Sequence, residues 1–369
     1  MDDNLFEQLF RLLQSSGPVN WKVAREVTKG LAGDLEPIEP AIAEEYRELA
    51  VAAELRIEAT TTLPPSPGGE LNPTDRATWA ADNQQNFRVL IEPLADKLSM
   101  GELPTEAASM AAMLQPLGPA LLGVQAGTMV GFMSHRVLGQ FDTGVPTMDH
   151  DRPYLVVPNI EGFSVDHGLD LREVRLWAAL HETAFHRILA VEWLRGHFVA
   201  LISAFFDSVE FDLAGLMGKL SSLDDPAELE ALIGENQTGM PALLKAESDP
   251  ERLGAVQAFT AFIEGYGDYV VRRAAGELLP DLERIEEAYS RRRAEPDQAE
   301  QSLQQLAGLD LQRHRARDAA LFCAEISRRW GDDALDRIWE DPANMPNLAE
   351  ITDPVGWAAR ILLDEESAQ

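Results

Sequence analysis

The apolar stretch at residues 117–138 constrains the fold of this 369-residue chain more than any other segment. Its glycines recur at every fourth position: Gly123, Gly127 and Gly131. Because residues four apart lie on one face of an α-helix, these glycines form a strip without side chains. Such a strip lets a second helix approach closely. The stretch therefore predicts a buried helix that packs tightly against another helix.

A membrane-spanning helix is the competing interpretation of this stretch, because its length approaches the roughly 20 apolar residues that a span requires. However, polar residues interrupt it, among them Gln125, Thr128, Ser134 and His135. The basic flanks typical of membrane spans are also missing. We therefore expect no membrane partner.

Helical patterns predominate along the chain. Asn20 is a suitable cap for a helix that begins at Trp21 and closes at Gly30. Apolar residues also recur at helical spacing in residues 40–60 and after residue 249. The predicted fold class is therefore mainly α, a multi-helix domain.

One small β element interrupts the helices. Residues 140–142 and 154–158 have the composition of two short strands on either side of a polar loop. By contrast, residues 72–75, Asn-Pro-Thr-Asp, have the signals of a helix start.

A Pro- and Gly-rich loop at residues 63–69 is the clearest boundary in the chain. It separates an N-terminal helical region, residues 1–62, from a helical domain at residues 72–360. Because the loop is short for an interdomain linker, we expect the two parts to form one continuous unit.

The formal net charge of −31 bears on the partners of the chain. Such a charge opposes binding to phosphate backbones, so we expect no nucleic acid partner. The basic cluster Arg291–Arg293 is interpreted as a solvated face with local ion pairs, with an anion site as the less favoured alternative. A single cysteine, Cys323, and an acidic N-terminus without signal-peptide features predict a cytoplasmic protein.

The candidate for chemistry is the segment at residues 171–200, predicted as one amphipathic helix. Near its middle stands His181-Glu182-Thr183-Ala184-Phe185-His186. Zinc hydrolases use His-Glu-x-x-His, because two imidazoles four residues apart reach one ion while the Glu acts as general base. Here Phe185 holds the second ligand position, and His186 lies about 140° from His181 around a straight helix. The segment therefore has the pattern of a zinc helix that lacks one ligand.

Several segments together resemble the zincin-like metallopeptidase family, whose members are often labelled hydrolases. They are residues 177–195, residues 263–268 (Ile-Glu-Gly-Tyr-Gly-Asp), Arg291–Arg293, residues 306–311 and the tail at residues 338–354. A sister branch of that family is named for its association with deazaflavin-coenzyme biosynthesis. The likeness extends over most of the chain, from Asn20 onward.

The resemblance implies a zincin-like helical fold with a His-Glu-x-x-His helix and a third zinc ligand from a downstream Glu-Gly segment. Residue by residue, His181 matches the first ligand, Glu182 the general base and Glu264 the third ligand. Asp268 and Tyr266 would lie behind the ligands, where a carboxylate can orient an imidazole or a water molecule.

Phe185 departs from the family pattern, because it stands where the second zinc-binding His belongs. His186 matches a further His that often follows it. A phenyl ring offers no lone pair, and two protein ligands hold zinc less well than three. Zinc is thus the implied metal, held weakly or not at all, and Phe185→His is expected to complete a three-ligand site.

Three hypotheses remain open for the function. In the first, the chain is an active or weakly active zinc hydrolase that uses His181, Glu182 and Glu264, with His186 drawn in by distortion of the helix. In the second, it is a non-catalytic relative that binds an unknown peptide or protein ligand. In the third, a metal lies on Glu182, His186 and Glu264, a carboxylate-rich set better suited to iron or manganese. We expect the helices that carry His181, Glu264 and Gly127 to pack together, and the site hypotheses require Glu264 to lie near His181.

Overall fold

A computed structural model describes residues 17–65, 70–99, 117–143, 153–211, 246–247, 249–294 and 315–363. The longer helices of this part of the chain are α1 (Trp21–Ala32), α2 (Pro40–Glu58), α3 (Arg76–Asn83), α4 (Arg88–Ser99), α5 (Leu117–Met133), α6 (Val157–His167), α7 (Leu171–Leu189), α8 (Leu194–Ser208), α9 (Pro250–Ala275), α10 (Leu282–Ala294) and α11 (Ala316–Trp330). Short helices complete the C-terminal part: α12 (Asp332–Asp336), α13 (Leu348–Ile351) and α14 (Pro354–Leu362). The predicted fold class, mainly α with a small β element, is confirmed.

The strands form two small sheets. β1 (Asn72–Thr74) pairs in parallel with β2 (Tyr154–Val156), and β3 (Glu210–Phe211) pairs antiparallel with β4 (Ala246–Glu247). The prediction that a helix starts at residues 72–75 was therefore wrong for its first three residues. Asp75 does cap a helix, α3, by accepting a hydrogen bond from the Thr78 amide at 2.8 Å.

The strand predicted at residues 140–142 is also absent from the described residues of this region. An isolated antiparallel bridge joins Gly139 to Leu155 instead. After this bridge the chain is bent rather than extended, because the Asp142 carboxylate accepts a hydrogen bond from the Leu138 amide at 2.7 Å. The bend turns residues 139–142 toward α7.

The glycine strip of α5 lies against α1, as close helix packing requires. Asn20 caps α1 by accepting from the amides of Lys22 and Val23, although the helix continues through Gly30 to Ala32. A Cβ atom on Gly127 would lie 2.9 Å from the Ala24 Cα atom and would overlap the Ala24 carbonyl oxygen. The partner of the strip is therefore the N-terminal helix rather than the helices that carry His181 and Glu264.

No single helix in the described ranges is long and apolar enough to cross a membrane. Two consecutive helices, α7 and α8, together have the length and apolar composition of a span, but the chain bends by 79° between them. The prediction of one helix at residues 171–200 was therefore wrong, since the chain leaves α7 at Leu189 and restarts at Leu194.

Helix α7 lies at the centre of the core, between α2 and α9. Two of its arginines bind α2: Arg175 forms an ion pair with Glu45 at 2.6 Å, and Arg187 forms one with Glu54. Arg187 also donates to the Leu63 carbonyl oxygen at 2.9 Å. On its far side α9 packs against α11, where Gly265 faces Ala319. One hydrophobic core runs through both predicted parts of the chain.

Some predicted features lie outside the described residues. These are residues 66–69 of the loop, residues 144–152 between the two predicted strands, residues 306–311 and the first 16 residues.

The contact between α1 and α5 gives a stability prediction. We expect Gly127→Ala to lower the free energy of unfolding by about 1–3 kcal/mol, because the new methyl group overlaps backbone atoms that have no room to move. Urea denaturation measures this change. Gly30→Ala is the control, since no heavy atom lies within 4 Å of its added Cβ and alanine favours a helix over glycine. An equal effect of both changes would contradict the close packing.

Candidate functional site

Helix α7 presents its candidate residues to the interior of the protein. Asp170 caps the helix by accepting hydrogen bonds from the amides of Arg172 and Glu173 at 2.9 and 3.1 Å. Every residue from Trp177 to Leu189 is buried, which is unusual for a helix with so many polar side chains. Each buried polar group therefore needs a partner.

Glu182, the predicted general base, has both carboxylate oxygens engaged. Oε1 lies 3.2 Å from Nδ1 of His181, and Oε2 accepts a hydrogen bond from the Phe141 amide at 2.8 Å. The carboxylate fits beside Gly139, where a Cβ atom would come within 2.6 Å of Oε1. The bend at residues 139–142 thus forms a pocket in the backbone for this side chain.

His181 connects Glu182 to a second, half-buried carboxylate through Tyr289. The Tyr289 hydroxyl donates to Asp142 and lies 3.4 Å from Nε2 of His181. Each ring nitrogen of His181 therefore faces an oxygen, Nδ1 the Glu182 carboxylate and Nε2 the Tyr289 hydroxyl. These contacts compete with any metal for the two ring nitrogens.

The pKa of His181 agrees with this hydrogen-bond pattern. Burial alone would lower it, but the hydrogen bond to Glu182 and the charges of Glu182, Asp142 and Asp268 raise the pKa above its usual 6.5. Burial also raises the pKa of Glu182, in spite of its hydrogen bonds from His181 and Phe141. The two groups form a buried hydrogen-bonded pair.

Phe185 stacks its ring directly on the imidazole of His181. The two ring centroids are 4.5 Å apart, with an angle of 28° between the planes. The other side of the ring meets α9 at Gly267, where a Cβ atom would lie 2.6 Å from the Phe185 Cζ atom. The phenyl ring therefore fills the space between α7 and α9, at the position where the family motif has its second His.

Glu264 on α9, the predicted third ligand, forms an ion pair with Arg293 at the end of α10. Glu264 is buried and Arg293 is largely buried. The second oxygen, Oε2, has no hydrogen-bond partner among the described residues. Asp268 lies one turn after Glu264. Burial raises the pKa of Asp268, although the charges of Arg293 and His181 act to lower it.

Two other predicted residues lie at the margin of this cluster. The Tyr266 hydroxyl is 2.8 Å from Thr61 Oγ1, and its ring packs against Trp339, so it is turned toward α2 and the C-terminal helices. His186 is buried and stacks on Phe141, with ring centroids 5.7 Å apart. The structure thus brings His181, Glu182 and Phe185 together with the Glu264 helix, with His186 on the side of Phe141.

The sequence interpretation missed Gly139, Asp142 and Tyr289, and it placed Arg293 on a solvated face. Arg291 fits that interpretation, since it is exposed and pairs with Glu287. Helical periodicity contains a signal for Arg293, because Tyr289 lies four residues before it on the same face of α10. No comparable local signal identifies Asp142.

A three-ligand zinc centre does not fit these side chains. In the part of the chain that the structure describes, no group of three His, Cys, Asp or Glu side chains is placed to hold a metal ion. Phe185 has no lone pair, both ring nitrogens of His181 face oxygens of other side chains, and Arg293 occupies one oxygen of Glu264. The free Oε2 of Glu264 offers a single ligand atom.

The buried His-Glu pair on α7, and the glutamate that α9 brings toward it, lie in a mainly helical fold of the zincin-like kind. A family model described as zincin-like metallopeptidase matches residues 19–358, and the chain belongs to this family. No curated protein matches the chain. Its fold is similar to the crystal structure of a putative hydrolase with a novel fold from Chloroflexus aurantiacus. The two are 24% identical with a TM-score of 0.66, covering 93% of this chain and 98% of the other.

The protonation of this cluster links stability to pH. His181, Glu182 and Asp268 all have pKa values raised by the fold, so the folded state binds more protons than the unfolded state. The stability that each contributes is complete below its unfolded pKa and is lost as pH rises through the folded value. We therefore expect the free energy of unfolding to fall from pH 5 to pH 8.

Urea denaturation across this pH range measures the effect, and Glu182→Gln isolates the cluster. The variant should show a shallower fall, because the amide neither titrates nor holds a proton on His181. Glu283→Gln, at an exposed position of α10, removes the same charge and should keep the native slope. Equal slopes in the two variants would assign the pH dependence to general charge repulsion instead.

Proposed function

We propose that this chain is a non-catalytic member of the zincin-like family that retains the fold as a binding or scaffold protein. The observation that carries the proposal is the Phe185 ring, stacked on His181 at the second ligand position. A phenyl ring can neither coordinate zinc nor leave room for an imidazole that does. Because the family is described as metallopeptidases, we infer a peptide or protein as the ligand.

The hydrogen bonds of Glu182 support the same proposal. A general base in a metallopeptidase must take a proton from the attacking water. Here one oxygen faces His181 and the other accepts from the Phe141 amide, so the carboxylate is committed on both sides. Its burial in the core supports a structural role for the His181–Glu182 pair.

An active zinc hydrolase is the second candidate, and one observation favours it. Oε2 of Glu264 is buried and has no partner among the described residues, which leaves one ligand atom on the side of α9 that faces the cluster. In this alternative a ring nitrogen of His181 would have to give up its contact with Glu182 or Tyr289 in order to coordinate a metal. The third hypothesis places a metal on Glu182, His186 and Glu264. Such a metal would have to displace the Phe141 amide from Glu182.

Metal content and hydrolysis test the proposal together. We expect protein purified without added metal to carry clearly less than one zinc per chain. After zinc loading, we expect no chelator-sensitive hydrolysis of casein or of peptides. Elemental analysis and a fluorescent protease assay provide the two measurements.

Glu182→Gln provides the matched control for the assay. Any residual hydrolysis should be the same in the variant, since the proposal assigns Glu182 no catalytic role. One zinc per chain, with turnover that Glu182→Gln removes, would establish the active hydrolase and refute the proposal.

A further inference from the structure

Arg293 brings a buried positive charge into the candidate site. It stands at the end of α10, and its guanidinium pairs with Glu264 on α9. The side chains of Arg293 and Glu264 are 13% and 4% exposed, so the pair is largely removed from water. A buried charge is stable only with a partner, because the interior solvates ions poorly.

Tyr289 holds the same guanidinium from a second side. The Arg293 Cζ atom lies 5.2 Å from the centroid of the Tyr289 ring, which suits a cation–π interaction. The hydroxyl of that ring contacts Asp142 and His181. Arg293 is therefore connected both to the acidic face of α9 and to the network around the His-Glu pair.

The charges around Arg293 are predominantly negative. Burial would lower the pKa of its guanidinium, but Glu264, Tyr289, Asp268 and Asp142 together raise it. These carboxylates come from α9 and from the bend at residues 139–142. A metal ion is the largest positive charge in a zinc site, where it offsets carboxylates in the same way.

We propose that Arg293 supplies, from within the chain, the positive charge that a metal ion supplies in a zinc-hydrolase centre, and that its guanidinium keeps metals away from Glu264. The inference deepens the proposed non-catalytic function and rests on it. It also amends an expectation from the sequence, since Phe185→His alone leaves the Arg293–Glu264 pair in place. Zinc uptake then requires the removal of Arg293 as well.

Thermal unfolding tests the charge role of Arg293. Arg293→Met should lower the melting temperature by roughly 4–7 °C, because it leaves Glu264 buried without its cation. The double variant Glu264→Gln/Arg293→Met should lose less than the sum of the two single changes, since the carboxylate is neutralised as well. Arg291→Met is the matched control from the same helix and should stay close to the native melting temperature, because Arg291 is exposed.

Zinc content tests the exclusion of metals. We compare native protein, Phe185→His, Phe185→His/Arg293→Met and Phe185→His/Arg291→Met by elemental analysis after zinc loading and desalting. Only the variant that combines Phe185→His with Arg293→Met should approach one zinc per chain. Zinc should also raise the melting temperature of that variant alone.

The outcomes separate the inference from the proposed function. Full zinc in Phe185→His, with Arg293 intact, would overturn the inference and leave the non-catalytic function standing. Additive losses in the Arg293 and Glu264 variants would overturn it as well. If Arg293→Met does not fold by itself, the double variant with Glu264→Gln replaces it. Cooperative unfolding of the double variant supports the inference, and failure of the double variant to fold counts against the inference. Full zinc with hydrolysis in native protein would instead refute the proposed function itself.

Discussion

The burial of helix α7 is the constraint on which the rest of the structure depends. A helix surrounded on all sides must place each of its charged side chains against a partner, because water does not reach them. Arg175 and Arg187 find theirs on α2, while Glu182 finds a backbone amide in the bend at residues 139–142. The positions of these neighbours therefore follow from the polar residues of one central helix.

The candidate site is a product of the same packing. Gly139 and Gly267 let other elements approach α7 closely, and the space that they leave is filled by Glu182 and by the Phe185 ring. An imidazole, a carboxylate and a phenol remain, and each ring nitrogen of His181 faces an oxygen of the other two groups. Because these side chains can satisfy one another, we propose a binding role rather than hydrolysis.

Membership of the family does not determine the chemistry of the site. The match over residues 19–358 and the similarity of fold concern the whole arrangement of helices. Zinc chemistry depends on a few lone pairs, and a single ring at position 185 removes one of them. In the proposed non-catalytic function, the helical scaffold of the family persists while packed and ion-paired side chains fill the centre.

The sequence by itself determined the helices, because periodicity and capping residues act over a few neighbours. Three side chains cap the first turns of their helices by local hydrogen bonds: Asn20, Asp170 and Asp249. The glycine strip of α5 predicted a close contact with another helix. Only the tertiary structure decided which helix would fill that strip, where α7 would break, and that residues 72–74 form a strand. It also decided the site, since Glu182 and Arg293 are 111 positions apart and no local pattern shows which side of α10 meets α9. The sequence predicted Arg293 as a surface charge, whereas in the fold it is largely buried and pairs with Glu264. Burial of this kind depends on the tertiary structure.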